Sequence, residues 1–122
     1  MSTAHGIRRL ARQARQDLPG HIAGDHLDDA ARVLDLGLAD GSIRHLRAAG
    51  GSLAPVQLKW LGITDDDTHA KAARLASEAI RHAIRVRNEN PQASGGPAVW
   101  QYAQRQRAAV ELAAAFREQA YL

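Results

Sequence analysis

The residues best suited to chemistry in this chain are its histidines and the carboxylates near them. His21, Asp25 and His26 lie close together, with Asp28 and Asp29 just beyond. Imidazole nitrogen and carboxylate oxygen suit zinc and related ions, but a site needs three or four of them to converge. His21 and Asp25 share a helical face only if the helix begins before His21, and Gly20 and Gly24 argue against that start. The cluster therefore reads as a polar helix start, with acids where the helix dipole favours negative charge. Glu78 and His82 are spaced i, i+4 on a long helical stretch. Carboxylate-bridged dinuclear bundles place Glu and His three apart and repeat the pair on a second helix. Neither condition holds, so this pair reads as a surface contact worth a few tenths of a kcal/mol.

Other chemistries lack their residues. The chain has no cysteine, which removes disulfides, thiolate metal sites and cysteine nucleophiles. No serine sits in a nucleophile elbow, and no glycine-rich loop carries the lysine and hydroxyl of a phosphate-binding loop. Gly95-Gly96-Pro97 marks only a helix start. No catalytic residue, cofactor site or metal site is expected, and the chain does not read as an enzyme.

Basic residues form the remaining candidates. Arg8, Arg9, Arg12 and Arg15 lie on one side of a first helix, opposite its apolar face. They could contact phosphates, as a DNA-binding protein would, or lie in solvent. Residues 42–61 can also be read as a helix–turn–helix, whose second helix offers only Gln57 and Lys59 to base edges. Arg81 and Arg85 sit toward the end of a long helix, where cations suit the dipole.

Charge is polarised along the chain. The net charge of +3 resolves into +3 over residues 1–20, −4 over residues 21–67 and +4 over residues 68–122. Such a distribution suits unlike patches meeting between identical subunits. Aromatic residues are only 4% of the 122, and alanine dominates the apolar set. Alanine favours helices but buries little area. A thin core of this kind points to a homo-oligomer. No apolar run approaches the ~20 residues that span a bilayer, so no membrane association is expected. The basic N-terminus lacks a following apolar stretch, so no signal peptide is expected either.

The elements that must position these side chains are helices, and no alternating β pattern occurs. Residues 7–18 place Ile7, Leu10, Ala11, Ala14 and Leu18 on one face before Pro19-Gly20 ends the helix. A second helix starts near Asp25 with Leu27, Ala30, Ala31, Leu34 and Leu38 as its stripe, and Gly37 and Gly41 bracket its end. Ser42 can cap a short helix over 43–49, stopped by Gly50-Gly51. Pro55 opens another over 55–61, which lacks a capping residue and depends on packing of Val56, Leu58, Trp60 and Leu61. Gly62 closes it, with Ile63 as the apolar contact. Thr64 then caps a long helix reaching Arg87, with Ala73, Ala76, Ile80, Ala83 and Ile84 on its packing face. Residues 88–96 read as a loop. Pro97 begins a last helix to about residue 120, with a roughly heptad-spaced seam interrupted by Gln106. The expected fold is all-α, a single domain over 1–122 built as a small bundle of about five helices, with the two long ones C-terminal.

One stretch adds a family expectation. From Ser52 the chain reads Ser-Leu-Ala-Pro-Val-Gln-Leu-Lys-Trp-Leu-Gly-Ile-Thr-Asp-Asp-Asp-Thr and enters the Ala-rich helix. Over about residues 52–86 this resembles the head–tail connector (adaptor) proteins of tailed phages. Leu58, Leu61, Gly62, Ile63, Asp65, Asp66, Asp67, Ala76, Ala79 and Ile80 carry the likeness. In that family the motif opens the chain, whereas here it begins at Ser52. The resemblance implies a small all-α subunit forming a ring that meets portal and tail proteins. Such a subunit is not an enzyme and resides in the virion; a chain that is not phage-derived is expected in the cytoplasm. In such a ring the face from Ala73 to Ile84 packs within the subunit. Arg8, Arg12, Arg81 and Arg85 meet acidic neighbours or line a channel for DNA. The alternative expectation is a small DNA-binding regulator using its basic first helix.

Overall fold

Serine 2 sets the first helix. Its hydroxyl accepts the His5 amide at 3.1 Å, which starts α1 (Thr3–Asp17) four residues before the apolar periodicity does. A computed structural model describes residues 2–91 of the chain. Met1–Glu89 forms one compact unit and Asn90–Leu122 a second. The expected helix over 97–120 and most of the expected 88–96 loop lie outside the described residues. Among the described residues every regular element is helical: α1, α2 (Ala23–Asp35), α3 (Ala39–Ser52), α4 (Pro55–Trp60) and α5 (Asp66–Glu89). No strand occurs among them.

The turns are built by glycine in the left-handed region. Leu18-Pro19-Gly20-His21 is a type II turn, with Gly20 at φ +79° and the His21 amide donating to the Leu18 carbonyl at 3.1 Å. Gly62, also at φ +79°, ends α4 in a Schellman motif. Its amide donates to Lys59 at 3.0 Å, and the Ile63 amide to the Leu58 carbonyl at 2.9 Å.

Three helix starts differ from the sequence expectation. α2 begins at Ala23 rather than near Asp25, because His21 Nδ1 accepts the Ala23 amide at 3.0 Å and takes the place of a capping oxygen. α3 begins at Ala39, so Ser42 caps nothing; it is fully buried inside the helix. Gly50 and Gly51 do not stop α3, which runs on to Ser52. α5 is capped by Asp65 rather than Thr64: the Asp65 carboxylate accepts the Thr68 amide at 2.9 Å and the Thr68 hydroxyl. α5 also extends to Glu89, whose carboxylate accepts the Thr3 hydroxyl of α1 at 2.7–2.8 Å.

Packing pairs run α1–α2, α2–α3, α3–α5 and α5–α1, closing a small bundle, with α4 against α3. The expected α1 face is buried as a whole: Ile7, Leu10, Ala11, Ala14 and Leu18. In α2, Leu27, Ala30 and Ala31 are buried, while Leu38 lies beyond the helix and is exposed. In α4 only Leu58 is buried; Val56, Trp60 and Leu61 are exposed. The packing face of α5 is turned by one residue from expectation. Ala72, Leu75, Ala79, His82, Ala83 and Val86 are buried, while Ile80 and Ile84 are 52% and 45% exposed.

Candidate interaction surfaces

The four arginines of α1 do not act as one patch. The axial repeat turns Arg8 and Arg15 toward α2, where acids meet them. Arg8 pairs with Asp35. Arg15 holds Asp28 at 2.6 Å and Asp25 at 3.0 Å, and these two carboxylates hold its guanidinium protonated above the ordinary arginine range. Gly24 makes that reach geometrically open, since a Cβ there would lie 2.9 Å from Arg15 Cγ. Asp25 and Asp28 are thus charge partners of α1. Among the described residues no group of three His, Asp or Glu side chains is placed to hold a metal ion.

Arg9 and Arg12 have no carboxylate partner among the described residues. On α5, Arg81 pairs with Glu78 at 2.9 Å, so Glu78 does not pair with His82 as its spacing suggested. His82 instead turns inward and packs on Gly6 of α1, where a Cβ would lie 2.9 Å from its ring carbon Cε1. Its Nδ1 is buried with no hydrogen-bond partner. Burial, and then Arg85, lower its pKa, with Glu78 opposing. Arg85 and Arg9 line the same groove between α1 and α5, of about 400 Å³, together with His82.

A second groove, of about 270 Å³, runs between α3 and α5. Ile43, Ile80, Ala83 and Ile84 form its floor, and Arg47 and Arg87 its basic rim. Sequence reading passed over Ile43 and Arg47, which lie in a helix expected to be half as long. The second helix of the helix–turn–helix reading is present as α4, six residues long, in which Leu58 is buried and Gln57 half-buried. On α2 and α3, His26 and His45 bring their rings to 5.9 Å, a pairing that no local spacing signals. No helix among the described residues is long and apolar enough to cross a membrane.

Comparison with protein-family models, with curated proteins and with solved structures found no match. Function therefore rests on these surfaces.

Proposed function

We propose that this chain is a non-enzymatic structural subunit that assembles with further copies of itself, in the manner of a head–tail connector ring in a tailed-phage virion. One observation carries this reading. The stripe Ala73, Ala76, Ile80, Ile84, which has the spacing of a packing face, is largely exposed on α5, and Ile43 of α3 extends it into a groove rimmed by arginines. β-branched apolar side chains grouped in an exposed groove mark an association surface rather than a solvated one. Portal and tail proteins are the partners that the connector resemblance adds.

Size-exclusion chromatography with light scattering tests the reading over a range of protein concentrations, with and without a purified portal ring. The expected result is a mass that is a multiple of the protomer's, falling to the protomer mass in Ile80→Glu and Ile84→Glu variants that keep their helical circular dichroism. A protein that stays monomeric and ignores the portal ring excludes it.

A second reading is a small DNA-binding regulator. It is favoured by Arg9 and Arg12, which meet no carboxylate among the described residues, and opposed by Arg8 and Arg15, whose charges Asp35, Asp25 and Asp28 offset. It predicts duplex retention that weakens with salt and on Arg12→Ala.

A further inference from the structure

We propose that the groove between α1 and α5 is a binding site for a phosphate-class oxyanion, held by Arg9 and Arg85 with His82 at its base. This stands apart from the self-assembly reading and would give the DNA-binding reading its contact point. Two guanidinium groups share this groove, one from each helix. Among the described residues neither meets a carboxylate, whereas Arg8, Arg15 and Arg81 all do. The acid on the groove wall, Glu78, is drawn off by Arg81 at 2.9 Å. Like charges lining one groove repel each other, and an oxyanion bound between them attracts both. Guanidinium is the side chain whose fork of donors fits tetrahedral oxyanions.

The second observation is the imidazole beneath. His82 is 9% exposed, on the lining of the groove, with Nδ1 enclosed and without a partner. A buried polar atom without a partner is uncommon in a folded protein. With Nδ1 enclosed, the neutral ring can carry its proton on Nε2 and donate from there to an anion. Gly6 makes the arrangement fit, because a larger residue would displace the ring. The charged groups around the imidazole are Arg85 and Glu78 on its own helix and Arg9 from α1. An anion between the arginines offsets their repulsion of a protonated ring, so ligand binding and His82 protonation reinforce each other.

Amide and histidine NMR spectra of the full chain, titrated with sodium phosphate against sodium chloride at matched ionic strength, test the site. Saturable shifts are expected at Gly6, Arg9, His82 and Arg85, with a rise in the His82 titration midpoint. Arg85→Ala should weaken phosphate binding at least tenfold, Arg85→Lys by less, and Arg44→Ala not at all. Shifts that match those in chloride, or an equal loss in Arg44→Ala, overturn the proposal. A short DNA duplex forms a separate arm. Duplex retention lost in Arg12→Ala alone, with no phosphate saturation at the groove, removes this site and leaves the DNA reading standing. Phosphate saturation without duplex retention does the reverse.

Discussion

Gly6 and His82 meet where α1 crosses α5, and the contact has no slack. An added methyl at Gly6 would lie 2.9 Å from the ring, and the ring is itself enclosed. Overpacking of this kind costs about 1–3 kcal/mol, so Gly6→Ala should lower the denaturant midpoint by that equivalent; an unchanged midpoint would show that the ring moves freely. Ser42 is the opposite case. Its hydroxyl is fully buried in α3 with no partner. An unsatisfied hydroxyl costs about 1–3 kcal/mol of desolvation, so Ser42→Ala should raise the melting temperature, and a fall would reveal a hidden partner. His82 and His21 also set a pH dependence. Burial is the leading cause that lowers both pKa values, opposed at His21 by the nearby Ser52 backbone. The unfolded chain takes up these protons near the ordinary histidine value of about 6.5, before the folded chain does. Stability is therefore full above that pH and is lost as pH falls toward the lowered folded values. Thermal melts from pH 8 to pH 5 should show that decline, with a shallower slope in His82→Gln; a melting temperature that rises on acidification would contradict it.

At the level of elements, the ends of helices are controlled by single residues. Asp65 starts α5 with its carboxylate on the Thr68 amide and hydroxyl, which hold it below the usual carboxylate range. Gly62 ends α4 at φ +79° with open space around it, so a substitution there strains the backbone alone. Placing a Cβ in the left-handed region costs roughly 1–2 kcal/mol, and Gly62→Ala should show that loss in chemical denaturation. A Gly62→Asn variant should recover part of it, because asparagine tolerates this conformation; equal losses in both would point to another cause. The closing glycine and the apolar contact at Ile63 were legible in the sequence, whereas the cap of α5 was read one residue early, at Thr64. The Ser42 cap was misread, because a hydroxyl before an apolar run looks the same whether it starts a helix or is buried within one. The length of α3 was misread for a related reason. Two consecutive glycines oppose a helix when it stands alone, and here α3 packs on α5, where a Cβ added at Gly50 would lie 3.9 Å from the Ala76 carbonyl oxygen and from Ile80.

Across the whole unit, charge and apolar surface are divided among different faces. Arg15 with Asp25 and Asp28, and Arg8 with Asp35, tie α1 to α2. Among the described residues, Arg9 and Arg85 on the α1–α5 side pair with no carboxylate, and on the α3–α5 side Ile80 and Ile84 are exposed and Ile43 half-buried. At this scale the prediction is one of association: Ile84→Glu should abolish self-assembly while the protomer keeps its helical circular dichroism, because half-exposed side chains contribute little to the core. A variant that unfolds would instead show that Ile84 belongs to the interior.

The sequence by itself determined the helical class, the α1 core face, the turn at Pro19-Gly20 and the closure of α4 by Gly62, because each depends on residues within a turn or two of one another. Which face of α5 turns inward was decided only by the tertiary structure. Two adjacent stripes compete on that helix, one through Ala72, Leu75, Ala79 and Val86 and one through Ala73, Ala76, Ile80 and Ile84. They differ little in hydrophobicity, so periodicity cannot choose between them. Packing against α1 and α3 buries the first stripe and leaves the isoleucines outside. The same packing divides the arginines. In the sequence Arg8, Arg9, Arg12 and Arg15 are equivalent, and only the placement of Asp25, Asp28 and Asp35 beside α1 separates the paired from the unpaired. The histidines, where the first chemistry was sought, prove to be a helix cap at His21 and a buried ring at His82, roles that depend on which backbone lies opposite them.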